Sequence, residues 1–123
     1  MPKVTRGEIE AALVHAIIQF EKDHLGRGPV EARAFILEDM ILIRLRGVLT
    51  PAEIKLAQNP EGDALIKEVR RRLLEGSRLL LDEMVQQVTG ARVVSLHTDI
   101  SIQNSERIIV FTVADNLEKQ FRV

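Results

Sequence analysis

The feature that most constrains this chain is the apolar periodicity running from Asp63 to Thr89. Leu65, Val69, Leu73, Leu80, Met84 and Val88 recur at helical spacings, and Ile66, Leu74, Leu81 and Val85 widen the stripe. The segment therefore reads as one long helix with a broad apolar face that must be covered. At about 1.5 Å per residue it is roughly 40 Å long, whereas a compact domain of 123 residues is about 35 Å across. The helix overhangs or bends. Gly76, near its middle, costs about 1 kcal/mol relative to Ala and marks the expected bend; an overhanging apolar end calls instead for a second subunit.

With 46% hydrophobic residues the chain can bury one real core, and it is too short for two. The expectation is a single domain over residues 1–123, with its core at about 5–114 and a short tail at 115–123. Seventeen basic side chains against eighteen acidic ones leave no global positive field for nucleic acid or an anionic bilayer. Trp and Tyr are absent, so no stacking platform for single strands is in view. Cysteine is absent too, which removes disulfides and thiolate chemistry and fits a reducing compartment. The longest uncharged apolar-rich run, Ala11 to Phe20, is about half the length of a membrane span. These points predict a cytoplasmic protein, at most peripheral to the inner face of the membrane, with no direct insertion and no nucleic-acid partner.

Local signals set the remaining elements. Thr5 with Glu8 makes a capping box for a first helix, whose stripe is Ile9, Ala12, Leu13, Ala16, Ile17 and Phe20 and whose stop is Gly26. Val30–Glu38 and Met40–Arg46 form a hairpin across Glu38-Asp39. In that register Ile36, Ala34 and Ala32 face Ile41, Ile43 and Leu45 on one apolar side. On the other side Leu37 faces Met40, Phe35 faces Leu42, Arg33 faces Arg44 and Glu31 faces Arg46. Thr50-Pro51-Ala52-Glu53 starts a short helix, and Asn59-Pro60, or else Asp63, launches the long one. After Gly90, alternation from Ala91 to Ser101 and from Glu106 to Ala114 gives a second hairpin turning at Asn104-Ser105. Pairing Gln103 with Glu106 sets Ile100 against Ile109, Thr98 against Phe111 and Leu96 against Val113 on the core side, with Asp99 opposite Val110 and His97 opposite Thr112 outside. The fold class is α+β: a two-layer sandwich in the order α-ββ-α-α-ββ, with an antiparallel four-stranded sheet, helices mainly on one face, and one long helix. Strand order across the two hairpins stays open.

Two clusters could carry chemistry. Arg33 opposite Arg44 puts like charges across a ladder, which costs up to about 1 kcal/mol unless an anion neutralises them. With Arg46, His97 and Asp99 near, this is a candidate site for a small anion or an acidic partner; the plainer reading is neutralisation by Glu31, Asp99 or a carboxylate of a second subunit. His97 and Asp99, two apart on a strand, point the same way, as two metal ligands or a base and its orienter would. A catalytic zinc needs a third ligand, and His15 and His24 lie on nearly opposite sides of their helix. We therefore assign no catalytic residue, metal or cofactor. Arg70-Arg71-Arg72, with Lys67 and Arg78, reads as the solvated face of the long helix, interspersed with Glu68, Glu75, Asp82 and Glu83. On the outer sheet face Phe35, Leu37, Met40, Leu42, Ile108 and Val110, with Val93, form an apolar patch that predicts a homodimer. A two-fold interface there would let Asp99 or Glu31 of one chain reach the arginine pair of the other.

Gly26-Arg27-Gly28-Pro29, the run Glu38-Asp39-Met40-Ile41-Leu42-Ile43-Arg44-Leu45-Arg46-Gly47-Val48-Leu49-Thr50-Pro51-Ala52-Glu53, Thr89-Gly90, His97-Thr98-Asp99-Ile100-Ser101 and Glu106-Arg107-Ile108-Ile109-Val110-Phe111 together resemble the MpsC-type family of small bacterial proteins, over roughly Thr5 to Ala114. The resemblance implies a component of a sodium-translocating, membrane-potential-generating system whose membrane partners are linked to inorganic carbon (bicarbonate) uptake. It assigns no catalytic or binding residue. The leading expectation is thus a non-enzymatic accessory or regulatory subunit that binds a membrane transporter subunit. The alternatives are a small-anion-binding protein or small-molecule enzyme using Arg33, Arg44, His97 and Asp99, and a nucleic-acid-binding α/β module using the arginine stripe.

Overall fold

The structure is a computed structural model that describes residues 4–121. Its elements are α1 (Arg6–His24), β1 (Glu31–Leu37), β2 (Met40–Arg46), α2 (Pro51–Leu56), α3 (Pro60–Gly76), α4 (Arg78–Thr89), β3 (Val93–Ser101) and β4 (Glu106–Val113), closed by a 3-10 turn at Leu117–Gln120. The fold is α+β, with one antiparallel sheet in the order β1-β2-β4-β3. Thus β2 and β4 lie at its centre and β1 and β3 at its edges.

The helix starts follow from their caps. Thr5 accepts the Glu8 N–H at 3.1 Å. At Thr50 the exchange is reciprocal, since the hydroxyl accepts from the Glu53 N–H at 3.1 Å while the Glu53 carboxylate accepts from the Thr50 N–H at 2.9 Å. Asn59, not Asp63, caps α3, its side-chain oxygen accepting from the Gly62 N–H at 2.8 Å. Gly90 ends α4 in the left-handed region at φ 78, which an L side chain enters only with strain.

The first hairpin has the expected register from Glu31↔Arg46 to Leu37↔Met40. The second is displaced by two residues. Ser101, not Gln103, pairs with Glu106, and the turn is the four-residue stretch 102–105. Two anchors explain the longer loop. Ile102 is drawn into the core, and the Ser105 carbonyl accepts the Gly47 and Val48 N–H groups at 2.8 and 3.2 Å, tying the loop to the junction between β2 and α2. A shift of two preserves the faces but changes every partner: Thr98 faces Ile109, Leu96 faces Phe111 and Ile100 faces Arg107. A bulge between Val93 and Ser95 then turns Val93 onto the core side and leaves Val94 exposed. Val93 accordingly drops out of the outer patch.

The segment expected as one long helix is two helices meeting at Ser77, next to the expected bend at Gly76. The ladder tightens there, with the Ser77 N–H donating to the Leu74 carbonyl three residues back at 3.1 Å. The buried ridge also differs from the expected stripe. Gly62, Ile66, Arg70 and Leu74 face inward on α3, as do Leu81 and Val85 on α4, so Leu65, Val69, Leu73 and Leu80 stay substantially exposed. Arg70, expected on the solvated face, is 3% exposed.

The core joins Leu13 and Ile17 of α1 to Ile41, Ile43, Ile109 and Phe111 of the central strands and to Leu81 and Val85 of α4. The end of the chain contributes as well. Leu117 and Phe121, in the stretch expected as a tail, are buried, and Phe121 bridges Val4. The Leu117 N–H and the Val113 N–H donate to the Glu38 and Asp39 carbonyls at 2.9 Å each, stapling the first hairpin turn. The final two residues, 122–123, lie outside the described stretch.

Candidate functional site

Alternation along four strands sends every second side chain away from the helices, and the register stacks those side chains in four rows across the sheet. One row is Glu31, Arg46, Glu106, Ser101. The next is Arg33, Arg44, Ile108, Asp99, followed by Phe35, Leu42, Val110, His97 and by Leu37, Met40, Thr112, Ser95. None of these residues is buried. Phe35, Leu37, Met40 and Leu42 are 36 to 57% exposed, and Ile108 and Val110 beside them are half-buried. The outer face is therefore charged at one end and apolar at the other.

The structure brings the predicted polar residues onto this face with distinct partners. Arg33 and Arg44 are opposite one another, but Arg44 Nε donates to Glu106 Oε2 at 2.7 Å. Arg46 lies 3.7 Å from Glu31 and 3.8 Å from Glu106. Glu106, which sequence reading did not single out, thus neutralises most of the arginine cluster; it stands one row from Arg44 on the adjacent central strand, a placement that needed the strand order. Arg33 has no carboxylate partner among the described residues, and its guanidinium lies over the Phe35 ring at 5.1 Å. Asp99 stands in the same row as Arg33 but three strands away, about 14 Å across the sheet, and accepts the Ile100 N–H at 2.8 Å. His97 lies one row further along. Among the described residues, no group of three or more His, Asp or Glu side chains could hold a metal ion.

A second polar assembly lies inside the sandwich. Arg70 Nε and Nη2 reach the two oxygens of Glu53 at 2.9 and 2.5 Å, and Nη2 also donates to the Val48 carbonyl at 2.8 Å. Glu53 thus caps α2 and holds α3 at once. Burial pushes its carboxyl up, but hydrogen bonds from Arg70 and Thr50 outweigh burial and hold it below the usual range. Arg107 is 2% exposed, with Nη1 donating to Thr98 Oγ1 at 3.1 Å. Its Nε and Nη2, and both Glu21 oxygens, are buried without a hydrogen-bond partner among the described residues. Burial raises the Glu21 carboxyl above its ordinary value against the opposing charges of Arg107 and Arg70. Where α3 diverges from edge strand β3, a groove of about 370 Å³ opens past Lys67, Thr98, Asp99 and Arg107.

A third surface is the ridge Leu65, Val69, Leu73 on α3, 41 to 52% exposed. These residues are four apart, so they form one row of the kind that packs into a groove of another helix. Sequence reading assigned this ridge to the core, because it is wholly apolar while the truly buried ridge is interrupted by Arg70.

Residues 5–115 match the profile of the family described as "Na+-translocating membrane potential-generating system (MpsC)". The chain is 42% identical over 117 residues to the Bacillus subtilis (strain 168) protein named "Uncharacterized protein YbcI", covering 95% of this chain and 94% of that one. It is 27% identical over 105 residues to "Uncharacterized protein YrhF" of the same organism, covering 85% and 86%. No solved structure matches.

Proposed function

Since the chain belongs to the MpsC family, we propose that it is an accessory component of the Na+-translocating system for which that family is described, and that it works by docking onto another protein of the system rather than by catalysis. No helix among the described residues is long and apolar enough to cross a membrane, and an ion pathway through a bilayer needs spanning elements, so the reading gives translocation to a different component. The observation that carries it is the α3 ridge. Three large apolar side chains in one row stay in water although the helix has a buried face of its own. A protein with nothing to bind gains solubility by making such positions polar. The occupant that fits an i, i+4 row is an amphipathic or apolar helix presented by the membrane component.

Membrane vesicles from cells lacking the protein test this, with the Na+-dependent potential read by a voltage-sensitive dye. We expect added protein to restore the potential and Val69→Glu, at a surface position that tolerates charge in the isolated fold, to fail. A potential indifferent to the protein would overturn the accessory role; full restoration by Val69→Glu would overturn docking through α3.

A further inference from the structure

We infer that the outer sheet face is covered by a second copy of this chain, in a face-to-face dimer whose two-fold axis runs along the strands between β2 and β4. This proposal rests on a surface different from the α3 ridge. The warrant is the arrangement of charge within the rows. A two-fold axis in that direction keeps each row level with itself but reverses its order, so that β1 of one copy lies over β3 of the other. The row of Arg33, Arg44, Ile108 and Asp99 then sets Arg33, the arginine of this row that has no carboxylate partner among the described residues, over Asp99 of the other copy, and Asp99 over the other Arg33. The neighbouring row sets Arg46 over Glu106 twice. In the apolar rows Leu42 meets Val110. An axis across the strands would instead lay β1 on β1, setting the Arg33 row over the Phe35 row and the Glu31 row over the Leu37 row, so that Arg33 loses Asp99 and charge is buried on apolar side chains.

The distances allow this. Packed sheets stand about 10 Å apart and cross at about −30°, and the edge strands lie about 7 Å from the axis. The crossing therefore displaces an edge row from its counterpart by only about 4 Å along the strand, within reach of an arginine side chain. The same pairing explains why the sheet leaves one end of its outer face apolar and the other charged with both signs.

Two reversals separate this geometry from any other dimer. In Arg33→Asp both edge positions of the row become acidic, and in Asp99→Arg both become basic, so each variant should repel its own copy, while a mixture of the two satisfies both pairs. Light scattering and sedimentation should show the parent as a dimer at micromolar concentration, each variant alone with a dissociation constant raised roughly tenfold or more, and the equimolar mixture dimeric again. Thermal melts of each variant check that it is folded. A monomeric parent would overturn the proposal, as would a dimer whose affinity ignores both reversals or a mixture that stays as weak as its parts. A monomer that still restores the vesicle potential through α3 would refute the dimer and leave the docking reading standing.

Discussion

Glu21 is the residue whose chemistry most conflicts with its place. It continues the buried row Ile9, Leu13, Ile17 on α1, and its raised pKa, caused by burial against the opposing charges of Arg107 and Arg70, has a definite consequence. A carboxyl whose folded pKa exceeds its unfolded value keeps a proton that the unfolded chain releases, so raising pH through that window favours unfolding. Glu21→Gln removes the titration. Melting temperatures of variant and parent, compared from about pH 4 to about pH 8, should shift in the variant's favour as pH rises; a constant difference would mean that Glu21 is ionised at an ordinary pKa. Glu53 has the opposite sign. Its depressed carboxyl adds stability that is complete above the ordinary carboxylate range and is lost as pH falls through its folded pKa. Because it also holds the buried Arg70, Glu53→Ala should cost about 3 kcal/mol, against about 1 kcal/mol for its capping partner in Thr50→Ala. Denaturant midpoints order the two, and equal losses would mean that Arg70 finds another partner. These inner charges were legible in part. Arg107 shares the inward face of β4 with Ile109, Phe111 and Val113, and Arg70 lies midway between Ile66 and Leu74 in the buried row. The alternation that put Ile109, Phe111 and Val113 on the core side carries Arg107 with them, whereas Arg70 was read with Arg71 and Arg72 as solvated face, because charged side chains are so rarely buried that residue type outweighed its position in the row.

Among the elements, the two helices beyond α2 are joined to their neighbours by glycines with opposite roles. A Cβ on Gly62 would lie 1.8 Å from the Leu56 carbonyl oxygen, so α2 and α3 close onto one another only through glycine; a Cβ on Gly76 meets nothing within 4 Å. Gly62→Ala should therefore cost about 1–3 kcal/mol, and Gly76→Ala should add about 0.5–1 kcal/mol, both read from urea midpoints. A neutral Gly62→Ala would show that the corner opens freely. The first hairpin was readable in full because a two-residue turn between alternating strands leaves one register that buries Ile36, Ile41 and Ile43. The second was not, since its turn is set by contacts made far away: Ser105 anchors to Gly47 and Val48, and nothing local distinguishes a shift of two, which keeps the same faces. The break at Ser77 was anticipated within a residue by Gly76. The choice of inward ridge on α3 was not, because the row Leu65, Val69, Leu73 is wholly apolar while the buried row beside it is interrupted by Arg70.

At the scale of the whole molecule, one layer of helices on one sheet leaves apolar surface open on both layers, including the outer sheet face with Leu42 and the α3 ridge with Val69. A small two-layer protein cannot cover both sides of its sheet, and we assign one surface to each kind of partner: the sheet to a second copy, the ridge to the membrane component. The chain has no cysteine, so a single introduced thiol reports on one surface without interference. The most direct measurement is the maleimide labelling rate of Leu42→Cys and Val69→Cys, with protein concentration varied and with or without native membranes that contain the Na+-translocating system. We expect position 42 to be protected as concentration rises through the dimer range, membranes or not, and position 69 to be protected only when those membranes are present. Equal labelling of position 69 with and without membranes would contradict docking through α3, and protection of both positions by concentration alone would mean that both surfaces belong to self-association.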